Sequence, residues 1–137
     1  MIANNLNVIL KTYLQSEGYN SIEIYPINAY STSEAPFITW LDFPSIKDGE
    51  QYWMYESTIT YSVFDNDLSR GKDIALKIED FLNVGDDISS LKSQLSGQSL
   101  PFRMLWCRMV GGGMFAPLER EGYTSINRVF QVGYVRV

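Results

Sequence analysis

The sequence predicts an α+β fold: a mostly antiparallel sheet of about five strands, packed by two main helices and carrying a projecting β-hairpin. Three observations predict it. Strand-type alternation runs through residues 51–64 and returns in 125–137. Apolar residues recur at helical spacing in two stretches, 6–14 and 74–82. The chain has 137 residues, of which 45% are hydrophobic, enough for one core and one domain spanning 1–137.

The elements follow in order. Leu6, Ile9, Leu10, Tyr13 and Leu14 make one apolar stripe of a first helix, with Gly18 as its stop. Residues 21–25 form a short strand that Pro26 ends, and the small, polar stretch 28–35 is a loop. In the strand 36–42, Phe37, Thr39 and Leu41 share one face and Ile38 and Trp40 the other, so both faces are covered. Residues 43–50 form a hairpin tip turning at Asp48-Gly49. The strand 51–64 then carries Ile59, Tyr61 and Val63 on its dry face, and its first half projects beyond the core.

The main helix covers 68–83, with Ile74, Ala75, Ile78, Phe81 and Leu82 buried and Asp65, Asn66, Asp67 and Ser69 as candidate caps. A weaker helix over 87–95 places Ile88, Leu91 and Leu95 together. Residues 102–110 alternate little, which suggests a central strand, and 111–123 make a long connection with three glycines and Pro117. In the last strand Ile126, Phe130, Val132 and Tyr134 share a face that Arg128 interrupts.

Composition narrows the function. The net charge of −5 opposes general binding to phosphate backbones, although Arg103, Arg108, Arg120, Arg128 and Arg136 cluster in the last third. Cys107 is alone, so no internal disulfide forms and a reducing compartment is expected. The start of the chain carries no secretory pattern, and no apolar run reaches the ~20 residues that span a bilayer.

No catalytic set is legible. Histidine is absent, which removes the usual general base and most zinc sites. Ser69-x-x-Lys72 and Ser89-x-x-Lys92 fit a Ser-Lys template, yet both read as solvated helix faces. Asp65-x-Asp67-x-Ser69 begins like a calcium loop, but Arg70 replaces the required glycine and Leu76 the closing glutamate, so capping explains it better. Gly111-Gly112-Gly113 lacks the Gly-Lys-Ser/Thr of a phosphate cradle. Glu119 and Glu121 flank Arg120 in the connection and read as solvated, and Cys107 reads as a buried, inert thiol. The expectation is no enzyme, no metal and no cofactor.

What remains is apolar surface on extended segments. Phe43, Ile46, Tyr52 and Trp53 around the hairpin, and Met114, Phe115 and Leu118 in the glycine-bearing connection, are the expected subunit or partner interface. Aromatics at 14% suit either such contacts or half-buried strands.

The order of elements resembles the tail terminator proteins of long-tailed bacteriophages, also called tail completion or head–tail joining proteins. The resemblance covers nearly the whole chain. It rests on the helix through Leu6 and Leu14, on Thr58-Ile59-Thr60-Tyr61-Ser62-Val63-Phe64-Asp65 leading into Ser69-Arg70-Gly71-Lys72-Asp73-Ile74-Ala75, and on the closing Arg128-Val129-Phe130-Gln131-Val132-Gly133-Tyr134. The segments 88–95 and 111–123 depart from the family pattern. The resemblance implies a structural virion protein of the tail or neck, assembled in the host bacterial cytoplasm. Its members form a ring, usually of six subunits, on the end of the tail tube. The ring stops tube growth and offers a docking face to the head connector or stopper. Implied partners are further copies of the chain, the tail tube protein and the head connector, with genome DNA only passing through the lumen and no membrane. The alternatives are a head-completion or stopper protein of the neck, and a small peptide- or ligand-binding α+β module.

Overall fold

Helix α1 spans Ile2–Ser16, and its spacing dictates the side it buries. Ile2, Leu6, Ile9, Leu10 and Leu14 recur every three or four residues and all are buried. Gly18 closes the helix at φ 102°, a left-handed conformation that glycine adopts without strain. The structure is a computed structural model and describes residues 2–27, 36–46, 54–115 and 124–136.

After α1 come β1 (Ile24–Pro26), β2 (Phe37–Ile46), β3 (Met54–Asp65), helices α2 (Leu68–Leu82) and α3 (Ser89–Leu95), then β4 (Phe102–Phe115) and β5 (Thr124–Arg136). The strands form one five-stranded sheet in the order β1-β2-β3-β5-β4. Short β1 lies parallel to β2, and every other pairing is antiparallel. The α+β reading therefore holds, with a mixed sheet.

Period-two alternation and the register sort the sheet into two faces. Ile38, Val63 and Ile126 lie level on neighbouring strands, as do Ile59 and Phe130. These side chains are buried, together with the α2 stripe Ile74, Ala75, Ile78, Phe81 and Leu82. The two main helices meet through Tyr13 and Phe81, whose rings stack 4.4 Å apart. Tyr61, fully buried in this layer, donates its hydroxyl to Asn7 Oδ1 at 2.7 Å, so a large polar ring enters the core without an unmet donor. Burial pushes its pKa well above the ordinary tyrosine value.

The α2 start also follows the sequence reading. Asp67 is the N-cap and accepts from Arg70 N at 3.2 Å. Asp65 is committed elsewhere: it accepts from Asp67 N and takes Arg70 Nε and Nη2 at 2.8 and 2.7 Å. Ser69, Lys72, Ser89 and Lys92 lie exposed on their helices, as expected.

Three expectations are corrected. Residues 43–46, read as part of the hairpin tip, continue β2 and pair with 55–58 of β3. Residues 102–110, read as central, belong to the edge strand β4. Alternation is weak there because the register shifts between Met104 and Trp106 and between Met109 and Gly111, not because both faces are buried. Finally, 111–115 are strand rather than connection. Gly111, Gly112 and Gly113 stay in the ladder opposite Val129, Arg128 and Asn127. Gly112 is sterically required, since a Cβ there would lie 2.6 Å from Asn127 O and 3.2 Å from the Arg128 side chain. The predicted turn at 47–50 and the acidic pair Glu119 and Glu121 lie outside the described residues.

Candidate assembly surface

The expected interface residues separate into two places. Phe43 lies on β2 opposite Thr58 and is 61% exposed, the largest exposure of any large hydrophobic residue among those described. Ile46 is the last β2 residue, opposite Tyr55. On β4, at a different level of the sheet, Met114 and Phe115 pair with Ile126 and Ser125 on β5. Tyr52, Trp53 and Leu118 lie outside the described residues. The register shows the separation: Phe43 is level with Thr58, Gln131 and Arg108, whereas Phe115 is level with Ser125, Phe64 and Phe37. A single copy therefore cannot join the two groups into one patch.

The sheet face turned away from the helices adds residues that sequence reasoning missed. Tyr25 meets Phe37 edge-on at 6.4 Å, and Phe37 stacks on Phe64 at 5.1 Å. Further along, Trp106 lies against Gly133 so closely that a Cβ on Gly133 would come within 2.2 Å of the indole. Arg108 sits 5.7 Å above the Trp106 ring. A signal for this pair existed in the sequence: a glycine inside a strand marks close approach of another group. Among the described residues no helix covers this face.

Two titratable groups stand out. Asp42 lies on the helix-facing side opposite Ile59, and its carboxylate oxygens are shielded from solvent without a hydrogen-bond partner among the described residues. Burial pushes its pKa up, against a smaller opposing pull from the nearby Ser57 hydroxyl. Cys107 is fully buried, and burial alone pushes its thiol up to about 12. That is the reverse of what a reactive thiolate needs. Among the described residues no cluster of three or more His, Cys, Asp or Glu is placed to hold a metal. None of the described helices is long and apolar enough to cross a membrane.

No family model matches the chain, and no curated protein matches it in sequence. The fold does have a counterpart among solved structures. A chain from the virion of a native gene transfer agent particle superposes with a TM-score of 0.64 over 98% of this chain and 98% of its own length. The two are 11% identical, so what they share is the fold.

Proposed function

We propose that the protein is a structural subunit of a phage-type virion, acting at the end of the tail as a terminator ring. The observation that carries the reading is end-to-end agreement with a virion chain, 98% of each length at a TM-score of 0.64. A shared small domain embedded in a larger enzyme would not match over both full lengths. The helix–strand–helix order that resembles tail terminators points to the same class from the sequence side.

The surface supports assembly rather than chemistry. A phenylalanine 61% exposed on the sheet is costly on a free monomer and becomes useful when a neighbour covers it. In this reading the Phe43 surface of one copy meets the next copy, and repetition closes a ring. The ring takes the tail tube on one side and the head connector on the other, and the net charge of −5 keeps passing DNA from adhering. Gold-labelled antibody against the chain, applied to purified particles, should mark the tail where it meets the head. Label confined to the capsid or to the distal tip, or absent from the particle, would overturn the proposal.

A further inference from the structure

Both flanks of the sheet are half covered. On the β4 side, residues 83–85 cover the first part: Val84 N and Gly85 N donate to Cys107 O at 3.1 and 2.7 Å, Cys107 N donates to Gly85 O at 3.0 Å, and Met109 N donates to Asn83 Oδ1 at 3.0 Å. Beyond Met109, no described residue pairs with the outer edge of β4. An open edge of this kind normally carries a device against pairing. The outer part of β2 has one in Pro44, which has no N–H to donate. Residues 111–113 instead are glycines, which let another backbone approach closely. Arg128 accounts for Gly112, but a Cβ on Gly113 would meet nothing within 4 Å and one on Gly111 only an ordinary contact at 3.9 Å. No positive φ calls for glycine at either position.

Beside this edge lies a groove of about 500 Å³ lined by Lys72, Leu76, Gly112, Gly113, Ile126 and Arg128. Its floor is apolar and includes Leu76, which is 53% exposed. Its charged groups are cations. Lys72 has no carboxylate within salt-bridge distance among the described residues; Arg128 lies 3.7 Å from Glu79, donates Nη1 to the backbone Asn127 O at 2.8 Å, and keeps its Nε shielded without a hydrogen bond. In a chain of net charge −5, two under-neutralised cations beside an open strand edge select an acidic occupant. A second copy pairing β4 to β4 about Gly112 would instead bring two Arg128 side chains together.

We propose that the open edge of β4 at 110–115 accepts an extended acidic segment of a neighbouring virion protein as an added strand, with its carboxylates on Lys72 and Arg128. Backbone pairing supplies the affinity, and the two cations with Leu76 supply the selectivity. That the donor is a virion protein rests on the reading above. The strand-accepting edge itself does not, and the assay below contains no tail component, so the two fail separately.

The test uses a fluorescein-labelled hexapeptide alternating threonine with glutamate, and its glutamine counterpart, on the full chain at low salt. The glutamate peptide should bind about ten-fold tighter than the glutamine one. At saturation it should slow amide exchange at Gly112 and Met114, whose N–H groups face the open edge by the register. Lys72→Glu, at an exposed helix position, should cut affinity for the glutamate peptide at least about three-fold while circular dichroism stays unchanged. Arg128→Glu should do the same where it folds, and Lys72→Glu carries the test where it does not. Equal binding of both peptides, no binding of either, unchanged exchange at Gly112 and Met114, or unchanged affinity in Lys72→Glu would overturn the proposal.

Discussion

Arg70 grips Asp65 with two prongs, Nε at 2.8 Å and Nη2 at 2.7 Å, and so ties the end of β3 to the first turn of α2. The Asp65 side chain is 1% exposed and Arg70 38%, so the pair spans the boundary between core and solvent. Asp65 also accepts from Asp67 N at 2.9 Å, which fixes the turn that Asp67 then caps. The carboxylate thus holds three donors at one strand–helix junction. Asp65→Ala should cost about 2–3 kcal/mol, because Asp67 N and Arg70 lose a charged acceptor. Urea unfolding measures it, and a loss below about 0.5 kcal/mol would show that the junction is held by packing alone.

Phe81 tests the helix layer. It is 7% exposed and stacks on Tyr13 of α1 at 4.4 Å, joining the two main helices. Phe81→Ala should cost about 3–5 kcal/mol by denaturant midpoint, the usual range for emptying an aromatic site.

Gly133 tests the opposite face. A methyl group there would enter the Trp106 ring at 2.2 Å, so the indole must move off its seat. Gly133→Ala should destabilise by about 1–3 kcal/mol and shift the tryptophan emission. In a Trp106→Ala background the same change should cost much less, because the obstruction is gone. Equal costs in both backgrounds would assign the effect to the backbone.

Asp42 predicts a pH dependence. Its folded pKa is raised above the ordinary value of 3.8, so the folded state binds the proton more tightly than the unfolded chain. Its ionisation therefore costs stability as pH rises through the raised value, and the cost is absent once pH falls below 3.8. Asp42→Asn should be more stable than the parent near neutral pH, and the advantage should shrink as pH falls toward 3.8. Thermal melts across that window check it, and an advantage that grows with acid would reverse the sign.

How far these relationships were legible depends on their range. The α1 and α2 stripes and the Asp67 cap are local, repeating every three or four residues or spanning one turn, and the sequence reading found them. Ile59, Tyr61 and Val63 were legible because β3 keeps an unbroken period of two. β4 was misplaced because two register shifts hide its period, and because glycines normally signal breaks. Nothing local says that Gly112 makes room for Arg128 on the adjacent strand. The expected interface was legible only as apolar residues without internal partners. That Phe43 and Phe115 stand on different strands and at different levels of one sheet is a consequence of pairing, which a one-dimensional reading does not contain.

The central claim is that this subunit closes on the end of a tail tube through surfaces such as Phe43. The most direct measurement is negative-stain imaging of phage tail tubes encoded beside this chain, mixed with purified parent protein or with Phe43→Asp. Parent protein should add a terminal ring and halt tube growth, whereas Phe43→Asp, with its circular dichroism spectrum and unfolding midpoint unchanged, should leave ends bare and still growing. Bare, growing ends in the presence of the parent would contradict the tail-end role itself. Rings formed equally well by both proteins would contradict the role of the Phe43 surface.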